Sequence, residues 1–258
     1  MRTIAILSDI HGNLTALEAV LEDALQLGAT DYWILGDFLM PGPGSSELLE
    51  LIYKLPNLIT VRGNWDDCLL EARTQVLKNP RDIYIARLAQ YQYDRLSLAD
   101  VDFIRKMPLT AQVGEFAISH NLPQKNYGGE LVGDPSPEVL GLLFEGPSAK
   151  VAVHGHTHFQ RCIPAMDRYV INPGSVGHPY VGENRKQGMA DYGVLSVDSH
   201  GKWHMDLRTV PYEVETEKER ARMAGLPYLE LYLELLDTGA TYTHNFEVLE
   251  RVYQQELS

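Results

Sequence analysis

Three short apolar runs near the N-terminus each give way, within three residues, to side chains that bind cations. Thr3-Ile4-Ala5-Ile6-Leu7 leads into Ser8-Asp9-Ile10-His11-Gly12-Asn13. Asp31-Tyr32-Trp33-Ile34-Leu35 leads into Gly36-Asp37, and Leu58-Ile59-Thr60-Val61 into Arg62-Gly63-Asn64-Trp65-Asp66. Runs this short, rich in β-branched residues and without helical period, read as strands buried on both faces of a parallel sheet. Between them, Leu14–Leu27 carries apolar residues at helical spacing, with Asn13 placed to cap that helix and Gly28 to end it. A second helix is expected over Ser45–Leu55. Repeated strand-loop-helix units place the carboxyl ends of their strands along one sheet edge, where ligands of α/β proteins bind. Polar loop residues scattered at random would not keep falling on that edge. Asp37 could have capped the next helix, but Met40-Pro41-Gly42-Pro43-Gly44 intervenes and leaves it free. That Pro/Gly loop is a candidate rim of a substrate pocket.

The same signature returns later. Leu109–Val113 and Glu115–Ser119 read as strands around Gly114, the second running into His120. Val151–Val153 is a further strand, which releases His154-Gly155-His156-Thr157-His158. Gly155 is expected to supply turn freedom, so that His156 and His158 aim at one point. His154 points from the strand and is expected to serve the core or to support the other histidines.

Asp67–Met107 is helical in pattern. Its aromatic residues Tyr84, Tyr91, Tyr93 and Phe103 are expected to pack into a core of its own rather than form a lid. A short helix is expected over Glu138–Phe144, and a hairpin over Arg161–Ile163 and Arg168–Ile171 before the Asn172-Pro173-Gly174-Ser175 turn. Tyr192–Val197 and Trp203–Val210 alternate as an antiparallel pair, and Glu215–Leu257 is helical, broken at Gly225-Pro227 and Gly239. The 258 residues thus read as one α/β domain, with a helical insertion at 67–107 and a C-terminal helical extension at 213–258.

Composition narrows the chemistry. A net charge of −13 excludes a general binder of long nucleic acids, which needs a basic face. A small anionic substrate stays compatible, because bound metal reverses the field locally. No apolar run approaches a membrane span. Cys68 and Cys162 alone make no disulfide framework, and no signal-peptide pattern precedes the first strand, so a cytoplasmic location is expected.

The strand-end groups are Asp9, His11, Asp37, Asn64, His120, His156 and His158. A single zinc takes about four ligands, and seven exceed that. Two five- or six-coordinate ions sharing one carboxylate use all seven. The mixed nitrogen and oxygen set suits Mn²⁺, Fe²⁺/Fe³⁺, Ni²⁺ or Zn²⁺ better than Mg²⁺ or Ca²⁺.

With these motifs in this order over residues 1 to about 176, the chain resembles the calcineurin-like metallophosphoesterases. Its opening and its Asn172–Ser175 turn resemble the compact prokaryotic phosphodiesterase branch. Its tail, with Val210-Pro211-Tyr212 and Ala224-Gly225-Leu226-Pro227, resembles members described as diadenosine-tetraphosphatase-like. The resemblance implies a four-layer αββα fold, a two-sheet β-sandwich flanked by helices. It implies that Asp9, His11, Asp37 and His158 hold one metal and Asp37, Asn64, His120 and His156 a second, with Asp37 bridging. A hydroxide between the ions would attack phosphorus, with Asn64 stabilising the charged oxygens and Asp66 either a further catalytic residue or one that only orients neighbouring groups.

Two positions depart from the pattern. Many phosphatases of the superfamily carry His where this chain has Trp65, and that His helps protonate the leaving group. Its loss implies a preference for good leaving groups. His120 is followed by Asn121 where Gly is common. The expected activity is therefore hydrolysis of phosphodiesters or nucleotide phosphoanhydrides in a small phosphorylated substrate. The alternatives are a phosphomonoesterase, protein phosphatases included, and a non-catalytic binding scaffold. The complete ligand set argues against the scaffold.

Overall fold

The computed structural model describes residues 2–144, 148–179 and 187–257. The first sheet has the order β10-β9-β1-β2-β3. Here β1 is Arg2–Leu7, β2 Asp31–Ile34, β3 Leu58–Thr60, β9 Met189–Val197 and β10 Trp203–Pro211. β1, β2 and β3 pair in parallel, and β9 and β10 close the other edge antiparallel. The second sheet has the order β4-β5-β6-β8-β7, from Thr110–Val113, Phe116–Ser119, Val151–His154, Arg168–Asn172 and Arg161–Ala165.

Strand alternation builds the layers. In β1, Ile4 and Ile6 face the second sheet, meeting Ile118, Val151, Val153 and Ile171 in the inter-sheet core. Ala5 and Leu7 face the opposite way, into the helical layer. In β6, Ala152 turns outward to Leu140 and Leu143, beside the short helix α6 (Pro137–Gly141). The result is helices, sheet, sheet, helix, as the sequence led us to expect.

The first layer holds α1 (Leu14–Gln26), α2 (Ser46–Tyr53), α3 (Asn64–Leu70), α4 (Pro80–Tyr93), α5 (Leu98–Lys106), α7 (Val214–Met223), α8 (Leu229–Thr238) and α9 (Phe246–Leu257). Asn13 caps α1 by accepting the N–H of Ala16 at 3.0 Å. The expectation that the 67–107 segment packs into its own core is overturned. Tyr84, Ile85 and Leu88 of α4 belong to the main core together with Tyr228, Leu231 and Leu249 of the C-terminal segment. The rings of Tyr84 and Tyr228 meet edge-on at 4.8 Å. Fourteen residues of helix cannot bury an aromatic stripe alone, and the C-terminal helices supply its other side.

A buried carboxylate ties that extension down. Glu217 of α7 accepts Thr15 N–H at 3.0 Å, the Thr15 hydroxyl at 2.7 Å and the Tyr232 hydroxyl at 3.0 Å, linking α1, α7 and α8. None of the described helices is long and apolar enough to cross a membrane.

Candidate metal centre

The strand ends of both sheets converge. Backbone bonds lace the first two loops together: Asp9 N–H donates to Gly36 O at 3.1 Å, and His11 N–H to Asp37 O at 2.9 Å. Asp9, His11, Asp37, His156 and His158 all hold positive φ, between 53° and 66°. Non-glycine residues adopt that region at a strain of roughly 1 kcal/mol or more each, and they cluster where function over-determines the backbone. Here the turn sends each side chain back across the sheet edge.

Gly155 has a different reason from the one expected. It is absent from the positive-φ glycines. A Cβ there would strike the Ser8 hydroxyl and lie 2.8 Å from Asp9 Oδ2, so Gly155 is needed for close approach between the two sheets.

Backbone carbonyls orient the imidazoles. His11 Nδ1 bonds Met40 O, His120 Nδ1 bonds Leu35 O, and His158 Nδ1 bonds His178 O, each at 2.6 Å. Those bonds set the tautomer and leave Nε2 of each ring facing the centre. His156 is reversed: its Nε2 bonds Gly128 O at 2.8 Å, which leaves Nδ1 for the centre. Two triads of ligand atoms, Asp9–His11–Asp37 and Asp37–His120–His156, each lie within 4.8 Å of one another and share Asp37. His158 Nε2 is 3.1 Å from Asp9 Oδ1, and Asn64 Oδ1 is 3.0 Å from His120 Nε2. All seven expected residues therefore meet at one centre.

The carboxylates are half committed. Asp37 Oδ1 accepts Trp65 N–H at 2.8 Å, while Oδ2 sits 3.4 Å from His120 Nε2. Asp9 Oδ2 accepts the Ser8 hydroxyl at 2.5 Å and His156 N–H at 3.0 Å. Asp9 Oδ1 is buried and has no hydrogen bond. An orphaned carboxylate oxygen amid imidazole nitrogens fits a transition-metal ion.

Electrostatics agree. Burial works against both charged carboxylates, yet His158 holds Asp9, and His120 holds Asp37, below the ordinary carboxylate range. Burial opposes a charged His120 as well, but Asp37 wins and raises it to about 10. The two carboxylates thus demand positive charge in a buried place, which protons or metal ions can meet.

Asp66, expected to take part in catalysis, is turned away from the cavity. Its carboxylate accepts Asp37 N–H at 2.9 Å, Phe38 N–H at 3.1 Å and Gly63 N–H at 2.8 Å. Burial and the Asp37 charge push it up to about 7 against the pull of the backbone donors. Its contacts hold the backbone of Gly63, Asp37 and Phe38.

His154 is fully buried, and burial followed by Arg161 depresses it to about 3, so it stays a neutral core residue. Asn172 supports the histidine loop, donating to Gly155 O at 2.8 Å and Thr157 Oγ1 at 3.1 Å.

Residues 1–200 match the calcineurin-like phosphoesterase superfamily domain. The chain belongs to that superfamily. It is 27% identical over 249 residues to an uncharacterised protein of Methanocaldococcus jannaschii, covering 87% of this chain and 93% of that one. It is 30% identical over 209 residues to phosphodiesterase YfcE of Escherichia coli, covering 76% and 91%. A solved metallophosphoesterase from Sphaerobacter thermophilus matches with a TM-score of 0.70 at 26% identity, covering 92% and 100%. This calcineurin-like phosphoesterase is an enzyme of a family that hydrolyses phosphoric esters with divalent metals.

One site residue was missed in the sequence. His178 lies with a ring nitrogen among those of His11 and His158, its ring 5.0 Å from that of His158. Burial, then His158, depresses its basicity well below normal. The sequence signal was its place three residues past Ser175, whose hydroxyl accepts His178 N–H at 2.8 Å and donates to Asp9 O at 2.7 Å.

The centre floors a cavity of about 820 Å³. Pro41 and Trp65 line it near the candidate ligands, with Tyr84 and Ile85 of α4, Tyr127 to Gly129, Leu231, Tyr232, Leu235 and Ala240 to His244 forming the walls. The Pro/Gly loop is thus a pocket rim through Pro41, and the 67–107 segment is a wall.

Proposed function

We propose that this enzyme hydrolyses phosphodiester or nucleotide phosphoanhydride bonds, using two divalent transition-metal ions, with Mn²⁺, Fe²⁺/Fe³⁺, Ni²⁺ and Zn²⁺ as the candidates. The observation that carries the reading is the pair of ligand triads that share Asp37. Asp9, His11, Asp37 and His158 would hold one ion and Asp37, Asn64, His120 and His156 the other, with Asp37 common to both sets. Two such ions supply an acidified water as nucleophile and a clamp for the phosphoryl oxygens.

The chain's own groups shape the rest. The carbonyl partners of His11, His120, His156 and His158 keep the rings from rotating when substrate binds. Asn64, at the first turn of α3, lines the cavity and offers its amide N–H₂ to a phosphoryl oxygen. Trp65 stands 5.9 Å from the His11 ring, where an imidazole could have protonated a leaving group. An indole has no proton to give at neutral pH, so departure relies on a leaving group that is already stable as an anion. That favours aryl and phosphate leaving groups over alkoxides. The free thiols of Cys68 and Cys162 support a reducing, cytoplasmic setting.

The deciding experiment is hydrolysis of bis-p-nitrophenyl phosphate against p-nitrophenyl phosphate by chelator-stripped protein with single metals restored. Metal-dependent turnover favouring the diester is expected. Preference for the monoester would replace the diesterase reading with a phosphomonoesterase. Two bound metals with no turnover of either substrate would favour a binding scaffold.

A further inference from the structure

The cavity extends well beyond the metal ligands, and its lining does not match the rest of the chain. The protein carries 35 acidic residues against 22 lysines and arginines. Yet among the described residues that line the cavity, the one carboxylate is Asp37, a metal ligand, and the one permanent cation is Arg81. Arg81 is in the first turn of α4, a segment fixed to the core through Tyr84 and Ile85. Its Nε is buried without a hydrogen-bond partner, and its guanidinium forms no ion pair among the described residues. Most other arginines around it are committed: Arg62 to Asp67, Arg73 to Asp94, Arg87 to Glu256.

Arg81 is close enough to the centre for its field to act on Cys68, which also feels Asp37. A guanidinium without an ion pair in the cavity that also holds His11, Asp37 and Asn64, its buried Nε–H lacking an acceptor, fits a phosphate oxyanion. Aromatic faces accompany it. Trp65 and Tyr242 are half-buried in the lining, and Tyr127 stands at the mouth, 60% exposed. Such faces stack on nucleobases.

We propose that Arg81 binds a second, non-scissile phosphate, and that Trp65, Tyr127 and Tyr242 receive an attached base, so that the natural substrate is a nucleoside polyphosphate or a diester built on one. This rests on the phosphoesterase reading of the metal centre. It adds that the specificity wall comes from α4 and from lining residues between Leu231 and His244. The latter lie outside the 1–200 stretch that matches the superfamily.

The test is calorimetric titration of the Mn²⁺-loaded protein with AMP and with ADP whose bridging oxygen is replaced by a non-hydrolysable methylene, for wild type, Arg81→Gln and Arg81→Lys. The ADP analogue should bind wild type on the order of tenfold more tightly than AMP, as one charge-assisted contact allows. Arg81→Gln should bring that ratio to about one, and Arg81→Lys should keep part of it. A wild-type ratio near one, or a ratio that Arg81→Gln leaves intact, overturns the proposal. Binding is read without turnover, so the two readings fail separately. A normal Arg81 dependence with no metal-restored hydrolysis would sink the enzymatic reading alone. Melting temperatures of the variants show whether they fold, and the ratio within each variant is its own control.

Discussion

The Asp66 carboxylate accepts the backbone N–H of Asp37 at 2.9 Å, across 29 residues of sequence. The same oxygen also accepts Gly63 N–H, and its twin accepts Phe38 N–H. One buried side chain thus joins the loop after β2 to the start of α3, and Asp37 answers by accepting Trp65 N–H. Asp37, the carboxylate common to both triads, is held from both sides.

Asp66→Ala should leave three buried N–H groups without acceptors and destabilise the fold by about 3 kcal/mol. Asp66→Asn keeps an acceptor oxygen but loses one bond. It should weaken metal binding roughly tenfold or more while the fold survives, as loss of a ligand's supporting partner does. Urea denaturation checks the first variant and metal titration the second. Unchanged metal affinity in Asp66→Asn would refute the positioning role.

His156→Ala and Asp37→Asn should abolish turnover, and Asp37→Asn should also reduce bound metal from two ions towards none because the shared oxygen loses its charge. Elemental analysis after dialysis measures the stoichiometry. Chelator treatment of wild type should lower its melting temperature, and Mn²⁺ should restore it, by mass action on the native state. Full activity in either variant would sink the dinuclear assignment.

Trp65→His places an imidazole in the cavity beside His11. If proton transfer limits departure of poor leaving groups, kcat/KM for alkyl esters should rise by at least about tenfold, with little gain for p-nitrophenolate. The readout is the slope of log(kcat/KM) against leaving-group pKa. An identical slope in the two proteins would mean that Trp65 does not stand where an acid is missing.

Asp23 on α1 accepts Arg208 Nε at 2.8 Å and Nη2 at 3.0 Å, with Tyr192 hydroxyl as a further donor. Arg208 first among these holds the carboxyl below its ordinary range. A lowered folded pKa contributes stability above the unfolded value near ~4, which is lost as pH falls through the folded one. Asp23→Asn should therefore be less stable than wild type at pH 7, by about 1 kcal/mol or less for a pair this open to solvent. The gap should close as pH falls below the unfolded value and through the lowered folded one. Urea midpoints across pH measure it, and a gap that persists in acid would count against this ion pair as its source.

The layered fold and most of its strands were legible in the sequence because each strand is short, apolar and followed by its own functional group. Asp9, Asp37 and Asn64 stand two to four residues past strands whose alternation fixes the buried faces, and His156 and His158 follow β6 in the same way. Local chemistry determines those positions. What lay beyond it was everything set by contacts between distant segments. Gly155 is required by Ser8 and Asp9 across the sandwich, not by its own turn. Asp66 looked like a reacting group and is a clamp, since only the folded chain brings the Asp37 and Phe38 amides to it. Tyr84 looked like part of a separate core until Tyr228 closed on it. His178 and Arg81 carry no motif, and their place at the centre and in its cavity comes from loops and helices brought together by packing. A strand's period of two is written along the chain, whereas a cavity wall is made by residues whose only relation is their distance in space.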